Sequence, residues 1–285
     1  RINLLITKKI DETREIIKKW KSEGLTIGFV PTMGYLHDGH KSLIDRAAKE
    51  NDKVVVSIFV NPIQFCEGED YDRYPRDMEH DTEICEKSGV SLIFYPEVKE
   101  MYPSKNLAFV DIKVLGDNLC GASRKGHFQG VCTVVAKLFN IVKPDRAYFG
   151  EKDAQQLAII KQMVFDLNFD LEIIPCPIVR EKDGLAMSSR NSYLTLEERK
   201  AALVLSRSLE LAKKEIEKGE RDSEKIKNII ISEISGEPLV RIDYVEVVDA
   251  DTLGAKPKIE GRVLTAIAVF IGKTRLIDNF TCEIN

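Results

Sequence analysis

The chain has 285 residues, 44% of them hydrophobic and 31% charged, and a formal net charge of −4. That length accommodates a sizeable core and one or two domains. The mildly acidic balance argues against a general nucleic-acid or acidic-membrane surface, and no apolar run approaches the roughly 20 residues of a membrane helix.

Residues 10–23 place Ile10, Ile16, Ile17 and Trp20 at helical spacing and close at Gly24, which predicts an amphipathic helix. Thr26-Ile-Gly-Phe-Val30 predicts a strand, and 39–50 predicts a helix with Leu43, Ile44, Ala47 and Ala48 on one face. Lys53–Val60 is a continuous apolar strand of the kind buried in a parallel sheet. A polar loop at 66–77 leads to a helix ending near 88 and a strand at 91–95. Residues 107–114 are expected to be extended. Val131, Val134, Val135, Leu138, Phe139 and Val142 repeat at helical spacing and set a helix over 128–142. A short strand at 146–149, a helix at 154–167 and a strand at 171–175 follow.

Strands alternating with helices imply βαβ units and a Rossmann-like parallel sheet, here assigned to residues 1–176. Pro175-Cys-Pro177 marks the boundary. Beyond it, 177–285 reads as a smaller α+β domain. Thr195-Leu-Glu-Glu198 is a capping-box start for a helix to about 218, and Arg221-Asp-Ser opens another with Ile226, Ile229, Ile230 and Ile234. Strands are expected at 242–249, 262–271 and 274–278.

The N-terminal run breaks at Lys8-Lys9, too early for the apolar region of a signal peptide. The six cysteines form no C-x-x-C pair and no metal-type spacing; Cys85 and Cys132 read as small buried hydrophobes. A reducing cytoplasm fits both observations.

Chemistry concentrates in a few loops. Pro31-Thr-Met-Gly-Tyr-Leu-His-Asp-Gly-His40 holds two of the four histidines where a strand turns into a helix. Free N–H groups and partial positive charge at a helix start suit a phosphate, and two imidazoles add donors. Asn61 and Gln64 follow the next strand and offer both donors and acceptors to a small polar substrate. Gly121–Gly130 is a Gly-rich basic loop whose Arg124 can pair with an anion. In Phe149-Gly-Glu-Lys-Asp-Ala-Gln-Gln156, Gly150 allows close backbone approach, Lys152 supplies a point charge, and Asp153 can either meet a ligand or cap the helix. Val179–Asn191 adds Ser188, Ser189 and Arg190, an anion cradle on an expected closing element. Loops after parallel strands converge at one sheet edge.

In this order, Pro31–His40, Val60–Phe65, Tyr74-Pro-Arg76, Gly126–Phe128, Gly150–Gln156 and Val179–Asn191 resemble the signatures of the nucleotidyltransferase superfamily. Within it the chain is similar to the pantothenate synthetase (pantoate–β-alanine ligase) family over essentially its whole length. The resemblance implies ATP-dependent condensation of pantoate with β-alanine to pantothenate, AMP and pyrophosphate, through a pantoyl adenylate. It implies His40 as the catalytic acid. It places ATP on Met33, Gly34, Tyr35, Leu36, His37, Asp38, Gly39, His40, Gly150, Glu151, Lys152, Asp153, Val179, Met187, Ser188, Ser189 and Arg190. Gln64 would hold pantoate and then β-alanine, and Gln156 pantoate. Mg²⁺ is expected on the triphosphate with its protein ligands unassigned, apart from Asp81 as an indirect one. A cytoplasmic homodimer is also implied. Two residues depart from the family pattern: Cys120 replaces a common Glu, and Lys125 a common Pro. The competing reading is a simple nucleotidyltransferase acting on a phosphorylated small molecule; such proteins carry the histidine motif but lack the Val60–Phe65 segment and the second domain.

Overall fold

A computed structural model describes residues 4–284 of the chain. The first half builds β1 (Leu5–Thr7), α1 (Ile10–Ser22), β2 (Ile27–Thr32), α2 (Asp38–Glu50), β3 (Lys53–Ile58), α3 (Met78–Lys87), β4 (Leu92–Phe94), α4 (Val98–Met101), α5 (Cys120–Ser123), α6 (His127–Val142), β5 (Arg146–Gly150), α7 (Ala154–Asp166) and β6 (Glu172–Cys176). The six strands form one parallel sheet in the order β1-β4-β3-β2-β5-β6. From β2 the chain steps one way to β3 and β4, then crosses back to β5 on the other side. β2 and β5 therefore flank the switch point, where the crevice beyond the strand ends takes ligands.

Alternation along the strands feeds two cores. Ile27, Phe29 and Val55 pack with α1 and α6; Val30, Val54 and Val56 pack with Ile44 and Ala47 of α2 and Cys85 of α3. Burial on both faces explains why these strands read as continuous apolar runs. Cys85 and Cys132 are fully buried, and burial pushes each thiol up to about 12, as expected of small hydrophobes.

The second half builds α8 (Leu196–Ala201), α9 (Leu203–Glu217), α10 (Ser223–Ser235), β7 (Val240–Asp249), β8 (Gly261–Ile271) and β9 (Thr274–Ile284). The three strands form an antiparallel sheet in the order β7-β8-β9. One face receives Leu205, Leu209 and Ile216 of α9 and Ile226, Ile230 and Ile234 of α10. From the other, Val248, Leu264 and Ala266 join the core that contains α6 and α7. The small sheet thus sits between its own helices and the parallel-sheet unit, against the mouth of the switch point.

Three expectations differ from the structure, and one strand was not expected. Residues 107–112 pair with no strand; the Val110 N–H donates instead to Thr133 Oγ1 on α6, at 3.0 Å. The helix expected to reach 218 is interrupted at Ala202, although its Thr195–Glu198 capping box is formed reciprocally. β9 runs on to Ile284 rather than stopping at 278, because the polar Asp278 and Asn279 are buried inside the strand. β1, too short and polar-flanked to announce itself, pairs with β4. Among the described residues, no helix is long and apolar enough to cross a membrane.

Candidate active site

β2 ends at Thr32, and the backbone then takes two consecutive left-handed residues, Gly34 (φ 83°) and Tyr35 (φ 52°). That turn aims the Tyr35 and Leu36 N–H groups at Asp81 of α3, whose two carboxylate oxygens accept them at 2.8 and 2.7 Å. A Cβ on Gly34 would lie 2.8 Å from Ile58 Cγ2 and 3.0 Å from Asp81 Oδ2, so only glycine fits. Burial pushes the Asp81 carboxyl up, while the two backbone amides pull it down. Each of its oxygens accepts one backbone N–H, and the pair shapes the histidine loop.

The loop delivers the histidines to the start of α2, where they cap each other. The Gly39 N–H donates to His37 Nδ1 at 3.0 Å, and the His37 N–H donates to His40 Nδ1 at 3.2 Å. Because each Nδ1 accepts, each neutral ring carries its proton on Nε2. The rings lie 4.1 Å apart. Burial, followed by the nearby Lys152 ammonium, lowers His37 to about 4. Burial, followed by His37 and Lys152, holds His40 well below its ordinary value. At neutral pH the pair is a set of uncharged Nε2–H donors beside a helix N-terminus.

β3 leads into Asn61 and the single helical turn Pro62–Gln64. Asn61 Nδ2 donates to Gln64 Oε1 at 2.9 Å and to the Gly130 carbonyl at 3.1 Å, while Asn61 Oδ1 accepts from Tyr102 at 2.8 Å. Gln64 Nε2 reaches Met33 Sδ at 3.5 Å. Helix α6 is pressed onto this turn: a Cβ on Gly130 would lie 2.3 Å from the Ile63 carbonyl oxygen and 2.6 Å from Gln64 Cα. In the basic loop Arg124 lines a cleft under the small sheet and is already paired. Its guanidinium forks onto Glu69 at 2.6 and 2.7 Å.

After β5, Glu151–Asp153 makes one helical turn that enters α7. Asp153 stands at the N-cap of α7, yet its carboxylate caps nothing. Lys152 Nζ lies 3.7 Å from it. Asn279 of β9 donates to the carbonyls of Glu151 and Lys152 at 3.1 and 2.8 Å, so the small sheet grips this loop directly. The adjacent glutamines divide their work. Gln155 is buried and stitches Leu115, Asn118 and Cys120, whereas Gln156 faces the cavity.

The segment after β6 crosses back over the site. Arg180 forks onto the buried Asp278 at 2.7 and 2.8 Å. Ser188 caps the helical turn Ser189–Tyr193, Ser189 donates to the Tyr35 carbonyl at 3.0 Å, and Arg190 pairs with Asp70 of the polar loop. Sequence reading missed Asp70, Glu69 and Asn279, whose parts are set only by contacts distant along the chain. Asp278-Asn279 alone left a signal, a polar pair inside an otherwise β-prone run.

These pieces enclose a cavity of about 240 Å³ at the switch point, lined among others by Met33, His37, Gly39, His40, Gln64, Gly150, Lys152, Asp153, Gln156, Val179, Met187, Ser188, Ser189 and Arg190. It shares Lys152, Asp153, Gln156, Ser188 and Arg190 with a larger cleft of about 830 Å³ that runs under the small sheet. Of the expected ATP residues, five do not line the smaller cavity. Gly34, Tyr35 and Leu36 shape the loop behind it, and Asp38 and Glu151 are exposed. The larger cleft holds the departure at Cys120, whose Sγ lies 3.2 Å from the Tyr244 hydroxyl and 3.5 Å from Arg275. Lys125, the other departure, is exposed.

A family model described as pantoate-beta-alanine ligase matches residues 5–281. The chain belongs to the pantoate-beta-alanine ligase family. It is 63% identical to a pantothenate synthetase of Clostridium acetobutylicum, over 98% of this chain and 99% of that one. It is 60% identical to that of Caldicellulosiruptor saccharolyticus, over 99% and 100%. The structure of the Thermus thermophilus pantothenate synthetase superposes with a TM-score of 0.93 at 44% identity, covering 97% of this chain and 98% of that one. A ligase of this family from Francisella tularensis, in complex with beta-gamma ATP and beta-alanine, superposes at 0.80 with 38% identity, over 98% and 97%.

Proposed function

We propose that this ligase-family chain condenses pantoate with β-alanine at the expense of ATP, giving pantothenate, AMP and pyrophosphate. The observation that carries the proposal is one cavity lined at once by His37, His40 and Lys152 and by Gln64 and Gln156. The first three are phosphate partners; the two amides suit the hydroxyls and carboxylate of a small acid.

In this reading ATP lies across the start of α2, its phosphates facing the two Nε2–H groups, Lys152 and Ser188. Gln64 and Gln156 hold pantoate so that its carboxylate oxygen attacks the α-phosphorus and pyrophosphate leaves. Preorganised donors stabilise the charge that builds on the phosphoryl oxygens. His40 Nδ1 accepts from the His37 N–H, so its Nε2–H faces the phosphates as a donor; burial pushes its pKa down. The amine of β-alanine then attacks the acyl carbon, loses a proton, and expels AMP. The larger cleft gives the amine a route to the carbonyl.

Mg²⁺ on the triphosphate would neutralise charge on the phosphate oxygens. Among the described residues, no cluster of three or more His, Cys, Asp and Glu side chains is placed to hold a metal. Asp153 is the one carboxylate among the residues lining the small cavity.

We assign 1–176 as the nucleotide- and substrate-binding domain and 177–285 as a lid, supported by the grip of Asn279 and Ser189 on the ATP loops. We also place the protein in the cytoplasm as a homodimer. The test is incubation with ATP, Mg²⁺, pantoate and β-alanine. AMP is expected only when both organic substrates are present. ATP turnover indifferent to pantoate would sink the reading and favour a simple nucleotidyltransferase.

A further inference from the structure

The His127 side chain contributes no group to the small cavity, yet it is buried between the turn that carries Gln64 and the basic loop. Its Nδ1 lies 2.8 Å from the Gln64 carbonyl oxygen, and its Nε2 lies 3.1 Å from Arg124 Nη1. A carbonyl only accepts and a guanidinium only donates, so Nδ1 carries the proton and Nε2 accepts. The ring is therefore a fixed two-ended strut. Its outer end is anchored by Arg124, which Glu69 holds through both carboxylate oxygens. Its inner end is anchored on the backbone of Gln64. Burial and then Arg124 lower His127 to about 4, so the tautomer persists across the neutral range.

The Gln64 side chain is fixed independently. Asn61 Nδ2 occupies Gln64 Oε1 at 2.9 Å, which leaves Nε2 as the end turned toward Met33 and the cavity. The amide thus meets its substrate donor-first, matching a carboxylate or hydroxyl oxygen rather than an ammonium. With both ends of Gln64 constrained, the remaining freedom is movement of the Pro62–Gln64 turn itself, and His127 blocks that.

We propose that His127 is a positioning residue for pantoate: through the Gln64 carbonyl it holds the Gln64 amide where the acid must bind. The inference rests on Gln64 holding pantoate. A displacement of about 1 Å at such a contact costs on the order of 100-fold.

The test compares four variants by steady-state kinetics for pantoate and ATP separately, with thermal unfolding of each. His127→Ala should raise the pantoate KM about 10- to 100-fold and leave the ATP KM within about twofold. The Nδ2 of an asparagine falls near histidine Nδ1, so His127→Asn should restore most of the pantoate KM. The amide of glutamine falls near Nε2, so His127→Gln should resemble His127→Ala. A strut that only stabilised the fold would predict equal pantoate KM values for the two amide variants, tracking their melting temperatures; that result overturns the proposal. Gln64→Ala separates the two readings. If it leaves the pantoate KM unchanged, the assignment of Gln64 fails. If it raises the KM while His127→Ala does not, the role of His127 fails alone.

Discussion

Asp70 holds the guanidinium of Arg190 at two points, 2.8 and 3.0 Å, and Tyr193 donates its hydroxyl to the same carboxylate. Arg190 also lies over the Tyr74 ring, 5.5 Å from its centroid. The polar loop and the segment that crosses the site are thus tied together by one largely buried ion pair, with exposures of 26% and 10%. A lysine keeps the charge but lacks the planar fork that spans two oxygens while lying over the Tyr74 ring. Arg190→Lys should therefore cost about 1–2 kcal/mol in urea denaturation and raise the ATP KM. An unchanged denaturation midpoint would show that the fork contributes nothing to the fold.

Three histidines, His127 buried and His37 and His40 half-buried, give the protein a defined acid response. His37 and His127 are each lowered to about 4 from an ordinary 6.5, and His40 is also lowered, burial being the first cause in every case. Because folding lowers these pKa values, their contribution to stability is whole above about 6.5 and is lost as pH falls toward 4. The melting temperature should fall through that window, and His37→Asn, which keeps a capping side chain, should flatten the fall. Nitrogen-15 spectra of the rings at pH 7 should show Nε2–H for His37 and His40 and Nδ1–H for His127. Equal slopes for the two proteins would remove His37 from the account.

The parallel sheet was readable because strands buried on both faces leave long apolar runs, as at Val54–Val56, and because α6 repeats its apolar face without interruption. The histidine loop was readable because Gly34, His37 and His40 crowd special chemistry into a few residues. What escaped the sequence depends on long-range contact. Asp81 was expected only as an indirect Mg²⁺ contact; its acceptance of the Tyr35 amide, 46 residues away in sequence, appears only in the fold. Arg124 looked like a free anion binder until Glu69 took it. Asn279 reaches the Glu151 carbonyl from 128 residues away; the polar Asp278-Asn279 pair in a β-prone run marks the position but not its partner.

The approach of α6 to the Gln64 turn can be tested through Gly130. Its missing Cβ leaves room for the Ile63 carbonyl, which an alanine methyl would meet at 2.3 Å. Helix propensity favours Ala over Gly by about 1 kcal/mol, so propensity and packing oppose each other here. The clash is with backbone and cannot be relieved by a rotamer change, so packing should win. Gly130→Ala is expected to destabilise by about 1–3 kcal/mol and to raise the pantoate KM more than the ATP KM. A net gain in melting temperature would mean that the turn gives way easily.

Asn279 links the small sheet directly to the Glu151–Asp153 turn. Its Nδ2 donates to two successive carbonyls, Glu151 at 3.1 Å and Lys152 at 2.8 Å, and so sets the backbone that carries the Lys152 ammonium toward His37 and His40. Asn279→Ala leaves those carbonyls without their donor and frees the loop to shift. Asn279→Asp is worse, since a carboxylate can only accept and would face two carbonyl oxygens. The alanine variant should lose about 1–2 kcal/mol of stability and raise the ATP KM, with the pantoate KM little changed. The aspartate variant should lose more of both at pH 7 and recover partly as acid protonates the new carboxyl. If both variants bind ATP as the unsubstituted protein does, the lid grips the loop without positioning Lys152.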